Sequence, residues 1–175
     1  TTLPIQIVDT GSNHDMHRKM AGWYEVPYHH LPIARNQRTE QEENLLEIYE
    51  SAGCDLLVLA RYMQILSASA CKRLAGRCIN IHHSFLPGFK GARPYHQAYA
   101  RGVKIIGATA HYVTEDLDEG PIIEQAVERV DHAMGPDKLM EIGHDLESVV
   151  LLRAMRWHAE HRVFPSGPRT VILRA

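Results

Sequence analysis

The stretch CINIHH, residues 78–83, is an apolar run that leads directly into polar side chains, and DLLVLA at residues 55–60 is a second apolar run. Runs of this kind are typical of strands that are buried on both faces of a parallel sheet. Alternation of such strands with helical segments indicates parallel strands joined by helical crossovers. The sequence therefore predicts an α/β fold with a mostly parallel, Rossmann-like sheet and helices on both faces.

Turn and capping signals upstream of these runs predict further strands and helices. LPIQIV (3–8) predicts a strand, Gly11-Ser12-Asn13 predicts the cap of a helix through about Gly22, and YEVPYHHLPI (24–33) predicts a short strand. Thr39 and Glu42 have the spacing of a capping box, which predicts a helix that begins there and ends at Gly53.

The signals after residue 60 predict two short helices, an antiparallel strand pair and a long helix. The first short helix lies between Ser67 and Gly76, and the second begins at Pro94 and is stopped by Gly102. The strands KIIGATAHYVT (104–114) and PIIEQAVERV (121–130) flank the acidic loop EDLDEG (115–120). A helix from about Asp137 carries Leu139, Ile142, Leu146, Val149 and Val150 at helical spacing, and TVIL (170–173) predicts an edge strand.

Composition restricts the class of protein. The chain has 175 residues, enough for one domain, and its 45% hydrophobic and 23% charged residues are ordinary for a globular protein. A net charge of −2 gives no basic field for nucleic acid. The sequence has neither an apolar run of about 18 residues nor a signal-peptide pattern, so we expect a cytoplasmic protein that makes no membrane contact. Three cysteines without C-x-x-C spacing predict reduced thiols.

Asn80 and His82 are the first candidate catalytic residues. Side chains alternate along a strand, so both point to the same face, at the strand end where ligands of parallel sheets bind. The Asn amide and a protonated His can each donate a hydrogen bond to an oxyanion. The alternative is that both side chains only satisfy backbone groups at the end of the strand.

Asp118, in the loop between the two later strands, is the third candidate. If its carboxylate lies near His82, it would fix the imidazole tautomer, raise its pKa, and position or deprotonate water. The alternative is an ordinary solvated turn, because Glu115, Asp116 and Glu119 are its neighbours. His111, within the apolar run ATAHYV, is unusual, although a single His in a strand is more often a satisfied core residue.

Two other kinds of site are less well supported by the pattern. The adjacent histidines His29-His30 and His82-His83 would diverge to opposite faces of a strand, and no H-x-x-x-H spacing occurs on a helix, so no metal site is predicted. Ser84 has a histidine beside it but lacks the G-x-S-x-G turn of serine hydrolases.

INIHHSFLPGFKGARPYHQAY (79–99) and GVKIIGATAHYVTEDLDEGPIIEQ (102–125) together resemble the formyltransferase fold of the folate-dependent formyl-transfer enzymes. The resemblance extends to SNHD (12–15), PYHHLP (27–32) and LARYMQILS (59–67). Within that family the chain is most similar to the branch that hydrolyses 10-formyltetrahydrofolate to tetrahydrofolate and formate. The resemblance implies a hydrolase of one-carbon metabolism that needs no cofactor and no metal.

The resemblance also implies the roles of particular residues. Asn80, His82 and Asp118 match the catalytic Asn, His and Asp of the family. The expected substrate-binding residues, which would line the folate pocket and close its other side, are Met63, Gln64, Ile65, Leu66, His83, His111, Glu115, Asp116 and Leu117. We expect residues 1–175 to form the catalytic domain. The family's N-terminal regulatory domain of the ACT type and its first βα unit are not found in this sequence, so either the sequence is incomplete or a first βα unit is missing.

Three alternatives to metal-free hydrolysis of 10-formyltetrahydrofolate stay open. Transfer of the formyl group to an amine, as in glycinamide ribonucleotide transformylase, is the first. That enzyme has a Gly/Ser-rich phosphate loop and the signature His-Pro-Ser-Leu-Leu-Pro, whereas this chain has His82-His83-Ser84-Phe85-Leu86-Pro87. A folate-binding module without activity and a metal-dependent hydrolase are the others. The expected partners are a folate substrate and further copies of the chain in a homo-oligomer.

Overall fold

The computed structural model describes residues 5–10, 15–32, 38–62, 64–83 and 93–173, and the chain forms two compact units, Thr1–Asp55 and Leu56–Ala175. The first unit contains the strands β1 (Ile7–Asp9) and β2 (Tyr28–His30) and the helices α1 (Asp15–Trp23) and α2 (Arg38–Ser51). β1 and β2 pair in parallel, so the predicted crossover between them is confirmed.

One predicted helix boundary in this unit is wrong. Helix α2 begins at Arg38, so Thr39 lies inside its first turn and does not form the N-terminal cap of a capping box. The predicted end of the helix is confirmed, since Gly53 has the left-handed φ of +64° that stops a helix. The predicted start of the first strand and the Gly11-Ser12-Asn13 cap lie outside the described residues.

The second unit contains a four-stranded sheet in the order β3-β4-β5-β6. Its strands are β3 (Leu57–Ala60), β4 (Cys78–His82), β5 (Ile105–Tyr112) and β6 (Ile122–Arg129), and its helices are α3 (Ala68–Arg73), α4 (Pro94–Arg101) and α5 (Pro136–Ala159). β3 and β4 are parallel. The predicted antiparallel pair, β5 and β6, is confirmed, and β5 also lies antiparallel to β4.

The predicted caps of the short helices agree with the structure. The hydroxyl of Ser67 accepts a hydrogen bond from the amide of Ala70 at the start of α3. That helix ends at Arg73, earlier than predicted, and a turn continues the chain to Gly76. Pro94 opens α4, and Gly102 ends it with a φ of +62°.

The core of the second unit lies between the sheet and α5. Its fully buried members come from alternate positions of the strands and from one stripe of the helix: Ile79, Ile81, Ala108, Ala110, Tyr112, Ile123, Val150 and Ala154. Leu139 on α5 is buried in a second cluster with residues of α4. Val149, which the helical spacing placed on the same face, is 43% exposed. None of the helices in the described part of the chain is long and apolar enough to cross a membrane.

The chain continues after α5 into a hairpin. Its strands are β7 (Val163–Ser166) and β8 (Arg169–Ile172), which pair antiparallel. β8 confirms the strand predicted at TVIL, and the hydroxyl of Thr170 donates a hydrogen bond to the carbonyl oxygen of Ile122 on β6. β7 was not predicted, because it contains Pro165, and a proline within a short run argues against a strand.

Candidate active site

The register of β4 and β5 determines which side chains share the face opposite α5. Asn80 is paired with His111, and His82 is paired with Thr109. Directly opposed residues of an antiparallel pair point to the same face, so these four polar side chains form one patch. The intervening positions face α5 with Ile and Ala side chains. The period-two argument for Asn80 and His82 therefore agrees with the structure.

Asp118 reaches this patch from the loop between β5 and β6. Its Oδ1 atom lies 3.5 Å from Nδ1 of His82 and 3.8 Å from Nε2 of His111. The carboxylate is 13% exposed and the His82 side chain 10%, so the pair is largely shielded from water. A separation of 3.5 Å is longer than an ordinary hydrogen bond, and catalytic contacts often tighten only when substrate is bound. The structure thus brings Asn80, His82 and Asp118 together.

The loop that carries Asp118 is held at both ends. Near its start, the thiol of Cys71 on α3 donates a hydrogen bond to the carbonyl oxygen of Thr114. Near its end, Gly120 presses against β5, because a Cβ atom at that position would lie 1.8 Å from the carbonyl oxygen of Tyr112. Asp118 itself has a φ of +58°, a conformation that Asp tolerates better than most residues. These constraints direct its carboxylate toward His82.

His111 adopts a defined tautomer that orients Asn80. Its Nδ1 atom lies 2.9 Å from the carbonyl oxygen of Tyr112, which can only accept, so Nδ1 carries a proton. Burial lowers the pKa of His111, although the Tyr112 carbonyl and Asp118 act in the opposite direction. The neutral ring then has a lone pair on Nε2, which accepts a hydrogen bond from Nδ2 of Asn80 at 3.4 Å. The Asn80 amide is thereby turned so that its NH2 group lies on the site face.

A second group of polar side chains lies next to His82. The ring of His83 stacks on that of His82 with a centroid separation of 4.7 Å, and Tyr95 lies 6.4 Å from His83. The expected divergence of the two histidines is therefore wrong, because β4 ends at His82 and His83 lies beyond the strand. The Tyr95 hydroxyl donates a 2.9 Å hydrogen bond to Glu147 on α5, and Arg61 pairs with the same carboxylate at 3.8 Å. Burial and the neighbouring carboxylate raise the pKa of Tyr95. This group links the end of β3 to α4 and α5 beside His83.

The expected substrate-binding residues differ in their exposure. Met63 lies outside the described residues. Of its neighbours, Gln64 is half-buried, Ile65 is 49% exposed and Leu66 is buried. In the acidic loop, Leu117 is 52% exposed, Glu115 pairs with Lys72 at 3.8 Å, and the carbonyl of Asp116 accepts a bond from Thr114. The two expected histidines do contact the catalytic candidates, since His83 stacks on His82 and His111 lies within 3.4 Å of Asn80.

Metal ligands and thiols give no further site. Among the described residues, no group of three or more His, Cys, Asp or Glu side chains could hold a metal ion. Cys54, Cys71 and Cys78 are free thiols, as their spacing predicted. Burial, together with the proximity of Cys71, raises the pKa of Cys78 to about 12 and so keeps it protonated.

Thr109, Glu147 and Gly120 are among the residues of the site region that were not identified from the sequence. Thr109 is fully buried beside His82 and accepts a hydrogen bond from Gln125. Period-two alternation along β5 would have revealed it, because polar residues at 109 and 111 alternate with alanines. Glu147 falls within the apolar stripe of α5, where a charged residue signals a buried partner. The role of Gly120 depends on a close backbone approach that has no sequence signal beyond the Gly-Pro dipeptide.

The fold and the polar patch together have the arrangement expected of a formyl-transfer enzyme. Residues 8–155 match the formyl transferase family, and the chain belongs to that family. It is 55% identical over 172 residues to a formyltetrahydrofolate deformylase of Corynebacterium sp. strain P-1, a match that covers 98% of this chain and 60% of the relative. The corresponding enzyme of Bacillus subtilis is 50% identical over 170 residues, covering 97% and 57%.

Solved structures show the same relationship. A formyltetrahydrofolate deformylase of Burkholderia mallei superposes with a TM-score of 0.89 at 55% identity, covering 97% of this chain and 59% of that one. A glycinamide ribonucleotide transformylase of Symbiobacterium toebii has a TM-score of 0.86 at 33% identity, covering 96% and 80%. The formyltransferase fold predicted by the resemblance is therefore confirmed. The chain spans less than two thirds of the length of the deformylases that it matches.

Proposed function

We propose that this chain hydrolyses 10-formyltetrahydrofolate to tetrahydrofolate and formate. The observation that carries the proposal is the convergence of Asp118, at 3.5 Å from His82, with Asn80 on one shielded face of the sheet. The higher identity to deformylases, 55%, than to the transformylase, 33%, supports water rather than an amine as the acceptor.

The proposed chemistry is direct attack of water on the N10-formyl carbon without a covalent enzyme intermediate. The NH2 group of Asn80 and protonated His82 donate hydrogen bonds to the oxyanion that forms on the formyl oxygen. Asp118 orients the His82 ring, stabilises its positive charge, and helps to move a proton to the leaving N10. Asn80 is oriented for this task because His111 accepts one of its amide protons.

Several expectations about the setting of the reaction belong to the same proposal. The segment that includes Gln64, Ile65 and Leu66 would bind the pterin, partly through backbone groups, and the loop of Glu115, Asp116 and Leu117 would close over it. The chain would act as a catalytic domain in a cytoplasmic homo-oligomer, without a cofactor.

Formate release measures the proposed activity directly. The protein is incubated with 10-formyltetrahydrofolate, with and without glycinamide ribonucleotide, and formate, tetrahydrofolate and formylated amine are quantified. We expect formate and tetrahydrofolate in equal amounts, unaffected by the amine. Formyl transfer to the amine without formate would indicate a transformylase, and folate binding without turnover would indicate a binding module.

A metal-dependent reaction would give a different result in the same assay. Preincubation with a chelator should leave formate release unchanged if Asn80, His82 and Asp118 alone support the reaction. Loss of activity that added zinc restores would contradict the proposed mechanism.

A further inference from the structure

His83 lies directly against the proposed catalytic pair, and the mechanism above gives it no task. Its ring stacks on the His82 ring with the planes inclined by only 19°. A second imidazole therefore lies beside His82, the side chain that donates a hydrogen bond to the oxyanion in the proposed mechanism. A titratable side chain at this position can contact one of the reactants.

The two ring nitrogens of His83 have different surroundings. Nε2 is buried and has no hydrogen-bond partner among the residues that the structure describes, whereas the ring as a whole is only half-buried. A buried polar atom left without a partner costs about 1–3 kcal/mol. Such atoms are normally satisfied by water or by a ligand when no protein group is available. Nε2 of His83 is thus available to a small molecule that enters the site, and it accepts a hydrogen bond when the neutral ring carries its proton on Nδ1.

The charges around His83 favour its neutral form. Burial lowers its pKa, and Arg61 acts in the same direction, while Glu147 and Asp118 act in the opposite direction. His82, on which the ring stacks, and Tyr95 are the other titratable groups that face it. Stacked imidazoles repel each other when both are charged, so a cation on His82 beside Asp118 requires His83 to stay neutral.

We propose that Nε2 of His83 binds the attacking water and accepts its proton. The inference rests on the proposed hydrolysis and assigns to His83 the choice of water as the formyl acceptor. Asp118 is less suited to this task, because its Oδ1 atom already faces His82 at 3.5 Å and His111 at 3.8 Å.

The water oxygen bonds to the formyl carbon while one water proton moves to Nε2 of His83 and His82 gives its proton to N10, so that the two stacked rings are not charged at the same time. The bond between the formyl carbon and the protonated N10 then breaks. The released formic acid ionises to formate, and the proton on His83 returns through solvent to restore protonated His82.

Two variants of His83 and one matched control test the assignment. His83→Ala removes the ring, and His83→Gln keeps a polar group of similar reach that can hold water but is not a base. His144→Ala is the control, because His144 is also a half-buried imidazole that packs edge-on against Tyr95 at 6.2 Å, outside the site. Folding is followed by circular dichroism, folate binding by tetrahydrofolate titration, and kcat by formate release between about pH 5 and 9.

We expect both His83 variants to lose about 100-fold or more in kcat, with tetrahydrofolate binding retained and His144→Ala close to wild type. The wild-type kcat should decline at acidic pH, as His83 becomes protonated; this decline is the acidic limb of the profile. The limb should be absent in His83→Gln, and free imidazole should partly restore the activity of His83→Ala. A merely structural role predicts neither the loss of the limb nor the rescue.

Three results would overturn the inference. Near-normal kcat in folded His83→Gln, or an acidic limb that persists there, excludes His83 as the base while leaving hydrolysis intact. A wild-type kcat that shows no decline down to the lowest pH at which the protein stays folded excludes it even if both variants fail to fold. A wild-type protein that releases no formate overturns the proposed function, and the role of His83 with it.

Discussion

The two faces of β4 and β5 are built from alternating residues of the same strands, but one face is apolar and the other is polar. One face packs against α5 through apolar side chains, among which Ile79 and Ala110 are fully buried. The other face is polar but is also shielded from solvent, since Thr109, His111 and His82 are only 0%, 2% and 9% exposed. Apolar packing on one side therefore fixes the backbone that positions buried polar groups on the other. Substitutions one residue apart should separate stability from activity.

The largest expected effect is on the polar face. His82→Ala and Asp118→Ala should each reduce kcat for formate release by about 100- to 1000-fold, since each removes a group that stabilises the oxyanion or its donor. Tetrahydrofolate binding and the midpoint of unfolding should change little. Glu119→Ala, in the same acidic loop, is the control and should keep its activity. Near-normal turnover in both site variants would reject these assignments.

The opposite face should respond in stability instead. Ile79→Ala removes a fully buried side chain from the cluster against α5 and should lower the free energy of unfolding by about 2–5 kcal/mol. The kcat per folded molecule should stay near wild type, because the site face is untouched. Urea unfolding measures the first quantity, and Ile105→Ala, at a site that is 47% exposed, is the control with a small expected effect. A selective loss of kcat in Ile79→Ala would show that the two faces are not independent.

Gly120 connects the two faces, because its close contact with Tyr112 holds the Asp118 loop on β5. Gly120→Ala places a Cβ atom 1.8 Å from a backbone carbonyl oxygen, so the loop must shift. We expect a loss of about 1–3 kcal/mol in stability together with reduced kcat, as Asp118 moves away from His82. Gly135→Ala, where a Cβ would meet nothing within 4 Å, is the matched control. An active and stable Gly120→Ala protein would mean that Asp118 is positioned by something else.

The elements with a strong local pattern were predictable from the sequence, and the contacts between distant segments were not. β4 and the β5–β6 pair have runs and turns that determine their type, and alternation alone put Asn80 and His82 on one face. The approach of Asp118 to His82 depends on the backbone contact at Gly120, which no periodicity encodes. The capping box at Thr39 failed because the helix begins one residue before the position that the local signal marks. β7 was missed because Pro165 lies within it.

The smallest expected effect is a pH dependence of stability that the polar face confers and the apolar face does not. Burial lowers the pKa of both His111 and His83 below the ordinary value of about 6.5. When the pH falls below about 6.5, these two side chains take up protons in the unfolded chain but resist them in the folded one. Their contribution to the free energy of unfolding is therefore complete above that pH and is lost as the pH falls toward the folded pKa values.

Urea unfolding measured between about pH 8 and 5 should show this decline, at no more than about 1.4 kcal/mol for each unit by which a pKa is lowered. His111→Asn removes one of the two groups, so its stability should fall less steeply over the same range, whereas Ile79→Ala should be less stable at every pH with an unchanged slope. If the free energy of unfolding depends equally on pH in wild type and His111→Asn, then His111 takes up a proton as readily in the folded protein as in the unfolded chain. The neutral tautomer that orients Asn80 would then no longer be supported.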